Sequence, residues 1–171
     1  MTTFRIHPAS SNVNWTGKKV LGLHTGNIKI AHGQLELGQH TIKIGTVTVD
    51  MTSILVTDIE DPKVSQEFRG HLLHDDFFGV NKHPLAQLVI TGATLIEDNR
   101  YWIDGILTIK DISHPVSYEA IVEIFTNTLH PLGTMKINRT LYNIRYGSGK
   151  FIPNLGDKLI YDDFVLQFKL V

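Results

Sequence analysis

The chain has 171 residues, enough for one domain with a sizeable core. A formal net charge of -1, with 19% charged residues, gives no electrostatic case for a nucleic-acid partner. The absence of cysteine excludes disulfides and thiolate metal sites, and no apolar run approaches the roughly 20 residues of a membrane-spanning helix.

The start, Met1 to Arg5, lacks the basic end and apolar core of a secretory signal. The expectation is a soluble cytoplasmic protein, or a periplasmic one if a signal has been removed. Strand-like alternation begins at Ser11 to Lys18, where Val13 and Trp15 share a phase. In His24 to Leu37, Ile28 and Ile30 give way across Gly33 to Leu35 and Leu37. In Thr41 to Met51, Ile42 and Ile44 share a face, and after Gly45 the set becomes Val47, Val49 and Met51. Such a slip would put the apolar set into water unless a bulge or glycine bend absorbs a residue. Repeated devices of this kind curve a sheet until it closes.

One helix is expected next. Asp61 suits its cap and Pro62 its first position, while Val64, Phe68 and Leu72 recur at four-residue steps. Asp75 and Asp76 would oppose the negative helix end, so the helix stops near His74. Alternation then resumes. Ala86, Leu88 and Ile90 give way across Gly92 to Ala93 and Leu95. Tyr101, Ile103, Leu107 and Ile109 form the next set, followed by Val116, Tyr118, Ala120, Val122 and Ile124. Met135, Ile137, Arg139 and Leu141 share one phase, as do Phe164, Leu166, Phe168 and Leu170. Turn-forming residues separate the runs at 97–99, 111–115, 130–133 and 154–157. Together these features predict one all-β domain over residues 1–171: an extended antiparallel barrel with one short helix.

Arg139 is the charge on an apolar face. A buried guanidinium needs partners. They are either an internal salt bridge or barrel-closing hydrogen bonds, or the polar part of a ligand. His24, between Gly22 and Gly26, continues inward to Ile28 and Ile30, as a core histidine or a polar spot with Arg139. His71 and His74, followed by Asp75 and Asp76, form the one grouping that suggests a metal, in a weak pattern. His7, His24, His32, His40, His83, His114 and His130 have no ligand spacing. Phe77 and Phe78 are either a core plug under the helix or an aromatic collar at a cavity mouth. The segment from Gly147 to Lys150 ends like a phosphate-binding loop but has Phe151 where Ser or Thr is needed.

Several short motifs run in order along nearly the whole chain. They are Trp15-x-Gly17-Lys18, Gly22-x-His24-x-Gly26, Val49-Asp50-Met51-x-Ser53 and His71-Leu72. The block Asp75-Asp76-Phe77-Phe78-Gly79-Val80 follows, then Lys82-His83-Pro84-x-Ala86, Gly105-x-Leu107-Thr108-Ile109-Lys110 and Pro115-Val116. Asn138-Arg139-Thr140-x-Tyr142 and a tail from Gly156 to Phe164 complete the series. In this the chain resembles the YceI-like family, lipocalin-shaped proteins associated with polyisoprenoid binding. It departs from the family pattern at four positions. Gly79 and Leu141 stand where aspartate is usual, and Asp111 and Asn143 where glycine is usual.

The resemblance implies a barrel around a long apolar pore capped by the helix. Its occupant would be a long-chain amphiphile, such as a polyisoprenoid, an isoprenoid quinone or a fatty-acid derivative. It implies a homodimer, no catalytic role and no cofactor beyond that bound lipid. The inward phases then supply the walls: Trp15, Met51, Ile103, Leu107, Ile109, Tyr118, Met135, Ile137, Phe164 and Phe168. Arg139 and His24 would hold polar parts, with Phe77 and Phe78 at the mouth. Two alternatives stand beside it: a metal-assisted enzyme using His71, His74, Asp75 and Asp76, and a barrel filled by its own side chains that serves only as an interaction module.

Overall fold

A computed structural model describes residues 1–39 and 41–171; His40 lies outside the described residues. The strands are β1 (Thr2–Arg5), β2 (Asn12–Lys19), β3 (Gly22–Gly38) and β4 (Thr41–Val56) before the helix α1 (Pro62–Leu73). After it come β5 (Leu85–Glu97), β6 (Arg100–Ile109), β7 (Ile112–Ile124), β8 (Leu129–Asn138) and β9 (Ile160–Lys169). All pairings are antiparallel. The order β3-β2-β9-β8-β7-β6-β5-β4 closes because β4 pairs back onto β3. β1 adds to β3 over Gln34–Leu37, beyond the reach of β2. Closure removes the open strand edges that would otherwise template aggregation.

All three phase flips are present, but the extra residues are not the glycines. Ile30 pairs with Val49 and His32 with Thr48, so Ala31 is the unpaired residue. Glu36 pairs with Ile44 and Leu37 with Ile42, which leaves Lys43. Ile90 pairs with Gly105 and Gly92 with Asp104, which leaves Thr91. The flip in β4 therefore falls before Gly45. Ile42 is buried while Ile44 is exposed, so they do not share a face as expected. In β5, Ala93 packs on the core but Leu95 is exposed, beside a second extra residue at Ile96.

Gly33 and Gly45 serve close packing instead. A Cβ on Gly33 would lie 2.7 Å from Ile6 Cδ1, and one on Gly45 2.5 Å from Leu35 Cδ2. The strands turn an apolar phase inward, and outward positions mix polar residues such as Asp104, Glu119 and Lys136 with exposed apolar ones such as Ile44, Trp102 and Ile106. Among the described residues, no helix is long and apolar enough to cross a membrane.

The Asp61 carboxylate caps α1, accepting from the backbone N–H of Lys63 (2.9 Å) and Val64 (3.2 Å). The helix packs only with its second half. Leu72 is buried and Phe68 partly so, whereas Val64 is exposed with the rest of the first turn, against expectation. Arg69 holds the helix to β4, donating to the carbonyls of Ile54 (2.6 Å) and Thr52 (2.8 Å).

Two expected turns are mostly strand. Residues 130–133 lie within β8, where Pro131 keeps a useful acceptor for the Leu170 N–H (2.8 Å). Of 111–115, only Asp111 turns the chain; with Lys110 it forms a tight tip with φ of 52° and 60°. β8 ends at Asn138, whose side chain accepts from Thr140 N (3.0 Å) and Thr140 Oγ1 (2.6 Å). The chain then winds into a short 3-10 turn, Arg139–Tyr142, which buries Arg139 but leaves Leu141 exposed.

Gly26 tests the close-packing argument. A Cβ there would overlap the Leu55 carbonyl oxygen and the Trp15 indole, whereas one on Gly92 meets nothing within 4 Å. Gly26→Ala should lower unfolding free energy in urea by about 1–3 kcal/mol, and Gly92→Ala by less than about 0.5 kcal/mol. Equal effects would contradict the packing argument.

Candidate functional site

The inward phases do not fill the barrel. They leave two contiguous apolar cavities, of about 450 Å³ and about 90 Å³. Both are bordered by Val13, Val49, Ala86, Leu107 and Leu166, so the two adjoin along the barrel. A barrel packed solid by side chains is therefore not what this sequence builds.

The smaller part is the deep end. Of the predicted wall residues it receives Ile103, Tyr118, Met135 and Phe168. Burial raises the pKa of the Tyr118 phenol, and its ring meets Phe168 edge-on at 5.8 Å. The larger part receives Trp15, Met51, Ile109, Ile137 and Phe164, together with His24, Arg139, Phe77 and Phe78. Leu107 lies between the two. The expected wall residues are thus divided between these two adjoining cavities.

Arg139 is 3% exposed and has three backbone partners. Nε donates to Tyr161 O (3.1 Å), Nη1 to Ile144 O (2.9 Å) and Nη2 to Ile160 O (3.1 Å). The guanidinium lies 5.6 Å from the Phe77 ring centroid. Burial pushes its pKa down, against the upward pull of the Asp162 carboxylate. It is the barrel-closing anchor rather than half of a salt bridge, and it still borders the cavity. His24 lines the same space. Its Nδ1 meets Asp58 Oδ2 at 2.9 Å, and its ring lies 4.6 Å from that of Phe68. Burial works to raise the Asp58 pKa, but the hydrogen bonds from His24 and from Thr25 N–H prevail, so it is lowered.

Phe77 and Phe78 are both plug and wall. Phe77 is buried beneath Arg139 and in edge contact with His71 at 5.3 Å. Phe78 is partly exposed and meets Phe164 edge-on at 6.3 Å.

The grouping on which the alternative metal reading rests is not assembled. The helix ends at Leu73, and His74 continues in extended backbone that turns away from His71. The His71 ring packs edge-on against Tyr146 at 4.4 Å. His74 and Asp76 face each other in solvent at 3.4 Å. Asp75 pairs with Lys82 at 3.0 Å, and that bond holds its carboxyl below the usual range. Among the described residues, no three His, Asp or Glu side chains converge as metal ligands.

Sequence reasoning missed other lining residues. Ile30, Leu35, Ile42 and Val47 at the deep end were marked by parity as inward, but their depth along the barrel was not. His71 serves as an aromatic wall. Tyr146 sits in an irregular segment where no periodicity could point to it. Lys18, Lys19 and Lys158 at the wide end read as ordinary surface lysines.

A closed antiparallel barrel with one helix and an elongated apolar interior defines the lipocalin-like class. Within that class, the model of the YceI-like domain matches residues 4–171, and the chain belongs to the YceI-like family. Three solved structures share the fold. BcnA of Burkholderia cenocepacia has a TM-score of 0.78 at 21% identity, with 96% of this chain and 98% of that one covered. A polyisoprenoid-binding domain from Saccharophagus degradans, implicated in plant cell wall breakdown, has a TM-score of 0.71 at 15% identity, covering 97% and 95%. The Campylobacter jejuni YceI protein has a TM-score of 0.61 at 18% identity, covering 91% and 82%. No curated protein matches the sequence.

The Asp58–His24 contact gives a pH test. Because the folded pKa of Asp58 lies below its ordinary 3.8, its contribution is present above that value and is lost as pH falls through the folded one. Asp58→Asn should therefore flatten the loss of stability on acidification below pH 3.8. Identical slopes in wild type and variant would contradict it.

Proposed function

We propose that the cavity takes the hydrocarbon chain of a long-chain amphiphile and that the protein is a carrier or sequestering protein rather than an enzyme. The ligand class is a polyisoprenoid, an isoprenoid quinone or a fatty-acid derivative. The observation that carries this reading is the pair of adjoining apolar cavities, with Arg139 and His24 lining the larger one. A space of about 450 Å³ falls within the range of small-molecule sites. Each CH₂ moved from water into such walls contributes roughly 0.8 kcal/mol. A chain of moderate length therefore overcomes an association cost of about 4–15 kcal/mol.

Arg139 uses three of its N–H donors on backbone carbonyls, so two of the five remain for a polar group of the ligand. Membership of the YceI-like family supports the reading. So does the fold shared with the polyisoprenoid-binding domain from Saccharophagus degradans.

Organic extraction of the purified protein followed by mass spectrometry should recover a long-chain amphiphile, and stripped protein should take up a fluorescent prenyl or fatty-acyl probe. Leu107→Trp, at the junction of the two cavity parts, should weaken probe uptake by about tenfold or more while the protein still melts cooperatively. Absence of both extracted lipid and probe uptake would overturn the proposal.

A further inference from the structure

The rim at the wide end of the cavity is both apolar and cationic. The β2–β3 hairpin carries Val20 and Leu21 at its tip, and Leu21 is 72% exposed. Val20 N–H reaches Leu159 O at 3.4 Å. Gly149 packs on the Leu159 side chain so closely that a Cβ would lie 2.7 Å from Leu159 Cδ1. Ser148 O, next along the chain, accepts from the N–H groups of Phe151 (3.2 Å) and Ile152 (2.9 Å). This series of contacts brings the exposed side chains of Phe151 and Ile152 to the same rim as Val20 and Leu21.

Cations surround these apolar groups. Lys18, Lys19 and Lys158 line the wide part of the cavity. The Arg145 guanidinium and the Lys150 ammonium lie 4.3 Å and 5.6 Å from the Phe151 ring centroid. Among the described residues, none of these five cations has an ion-pair partner. The acids nearby are fewer, and most are engaged. Asp58 pairs with His24 at 2.9 Å, Asp163 with Lys136 at 3.4 Å, Asp162 accepts from Ser148 Oγ at 2.6 Å, and Asp157 lies on the rim. This local excess stands out in a chain of net charge -1.

We propose that this rim docks the protein on an anionic lipid bilayer. Leu21 and Phe151 enter the headgroup region, and the five cations face the phosphates, so that the cavity opens onto the membrane. The inference rests on the lipid-carrier reading, because a carrier must exchange its cargo with a bilayer. Exposed apolar side chains ringed by Lys and Arg are the combination that binds membrane surfaces. A second copy fits less well, since two such rims face to face would set like charges together. Lysine is also depleted in the cores of protein interfaces.

The test is flotation of the full chain with phosphatidylcholine vesicles, with and without phosphatidylglycerol. The wild type should float with the anionic vesicles, bind the neutral ones weakly, and lose binding as salt rises. Leu21→Ser combined with Phe151→Ser should weaken anionic-vesicle binding by about tenfold or more. The control Ile106→Ser, on an exposed outer position of β6, should not. Melting curves check that each variant is folded, and uptake of the fluorescent acyl probe in solution should be unchanged in the double variant. Docking is overturned if the wild type stays unbound, or if the double variant floats as well as wild type. Self-association that the double variant abolishes, with no flotation, would assign the rim to a second copy and also overturn it. Flotation without probe uptake would leave docking standing and remove the cavity reading; probe uptake without flotation would do the reverse.

Discussion

A closed antiparallel sheet has to keep one face apolar on every strand while the chain curves through a full circle. Side chains alternate strictly, so one uncompensated residue anywhere would put a whole apolar set into water. This chain meets the constraint with single unpaired residues at Ala31, Lys43 and Thr91, each of which resets parity at a bend. The inward sets then continue in the new phase, from Ile30 to Leu35 in β3 and from Ile42 to Val47 in β4. The cavity follows directly, because its lining is the sum of these inward sets.

Strands approach one another closely at glycines, where neighbouring atoms occupy the place a side chain would otherwise take. Gly33, Gly45, Gly105 and Gly133 each have neighbours so near that a Cβ would lie within 3.0 Å of another atom. Arg139 secures the wide end. β8 stops one residue short of it, and the guanidinium joins the following turn to the start of β9 through three carbonyls. Asn143, which ends that turn, has a φ of 58°, and Asp111 at the β6–β7 tip has a φ of 60°. These are the two positions where the family resemblance implies glycine. Asn and Asp are the side chains that tolerate left-handed backbone best, so the departures preserve the turns.

The fold was legible because alternation reports facing directly. Tyr101, Ile103, Leu107 and Ile109 read as one face and are all buried. The cap at Asp61 and the stop before Asp75 were legible from local chemistry alone. Bulge positions were not. Parity shows that a flip has occurred between Ile30 and Leu35, but only pairing shows that Ala31 rather than Gly33 is the extra residue. The turn-like run from His130 to Gly133 misled for a related reason: proline and glycine mark turns locally, yet here they sit inside β8. The partners of Arg139 and the inclusion of Tyr146 depend on residues 143–161, where tertiary contacts replace periodicity. The histidines and acids after the helix illustrate the converse. Closeness in sequence placed His71, His74, Asp75 and Asp76 together, whereas past the helix end His74 keeps only Asp76, His71 packs on Tyr146 and Asp75 pairs with Lys82.

The central claim is that the inward face encloses space for a hydrocarbon chain, and the two tryptophans permit a direct measurement. Trp15 lines the wide part of the cavity, and Trp102 stands on the exposed outer face of β6. Fluorescence of Trp102→Phe and Trp15→Phe can be followed during titration with a brominated long-chain fatty acid below its micelle concentration. A ligand inside the barrel quenches Trp15 in a saturable, stoichiometric manner and leaves Trp102 nearly unchanged. Absence of saturable quenching of Trp15, or equal quenching of both, would contradict a chain-binding interior.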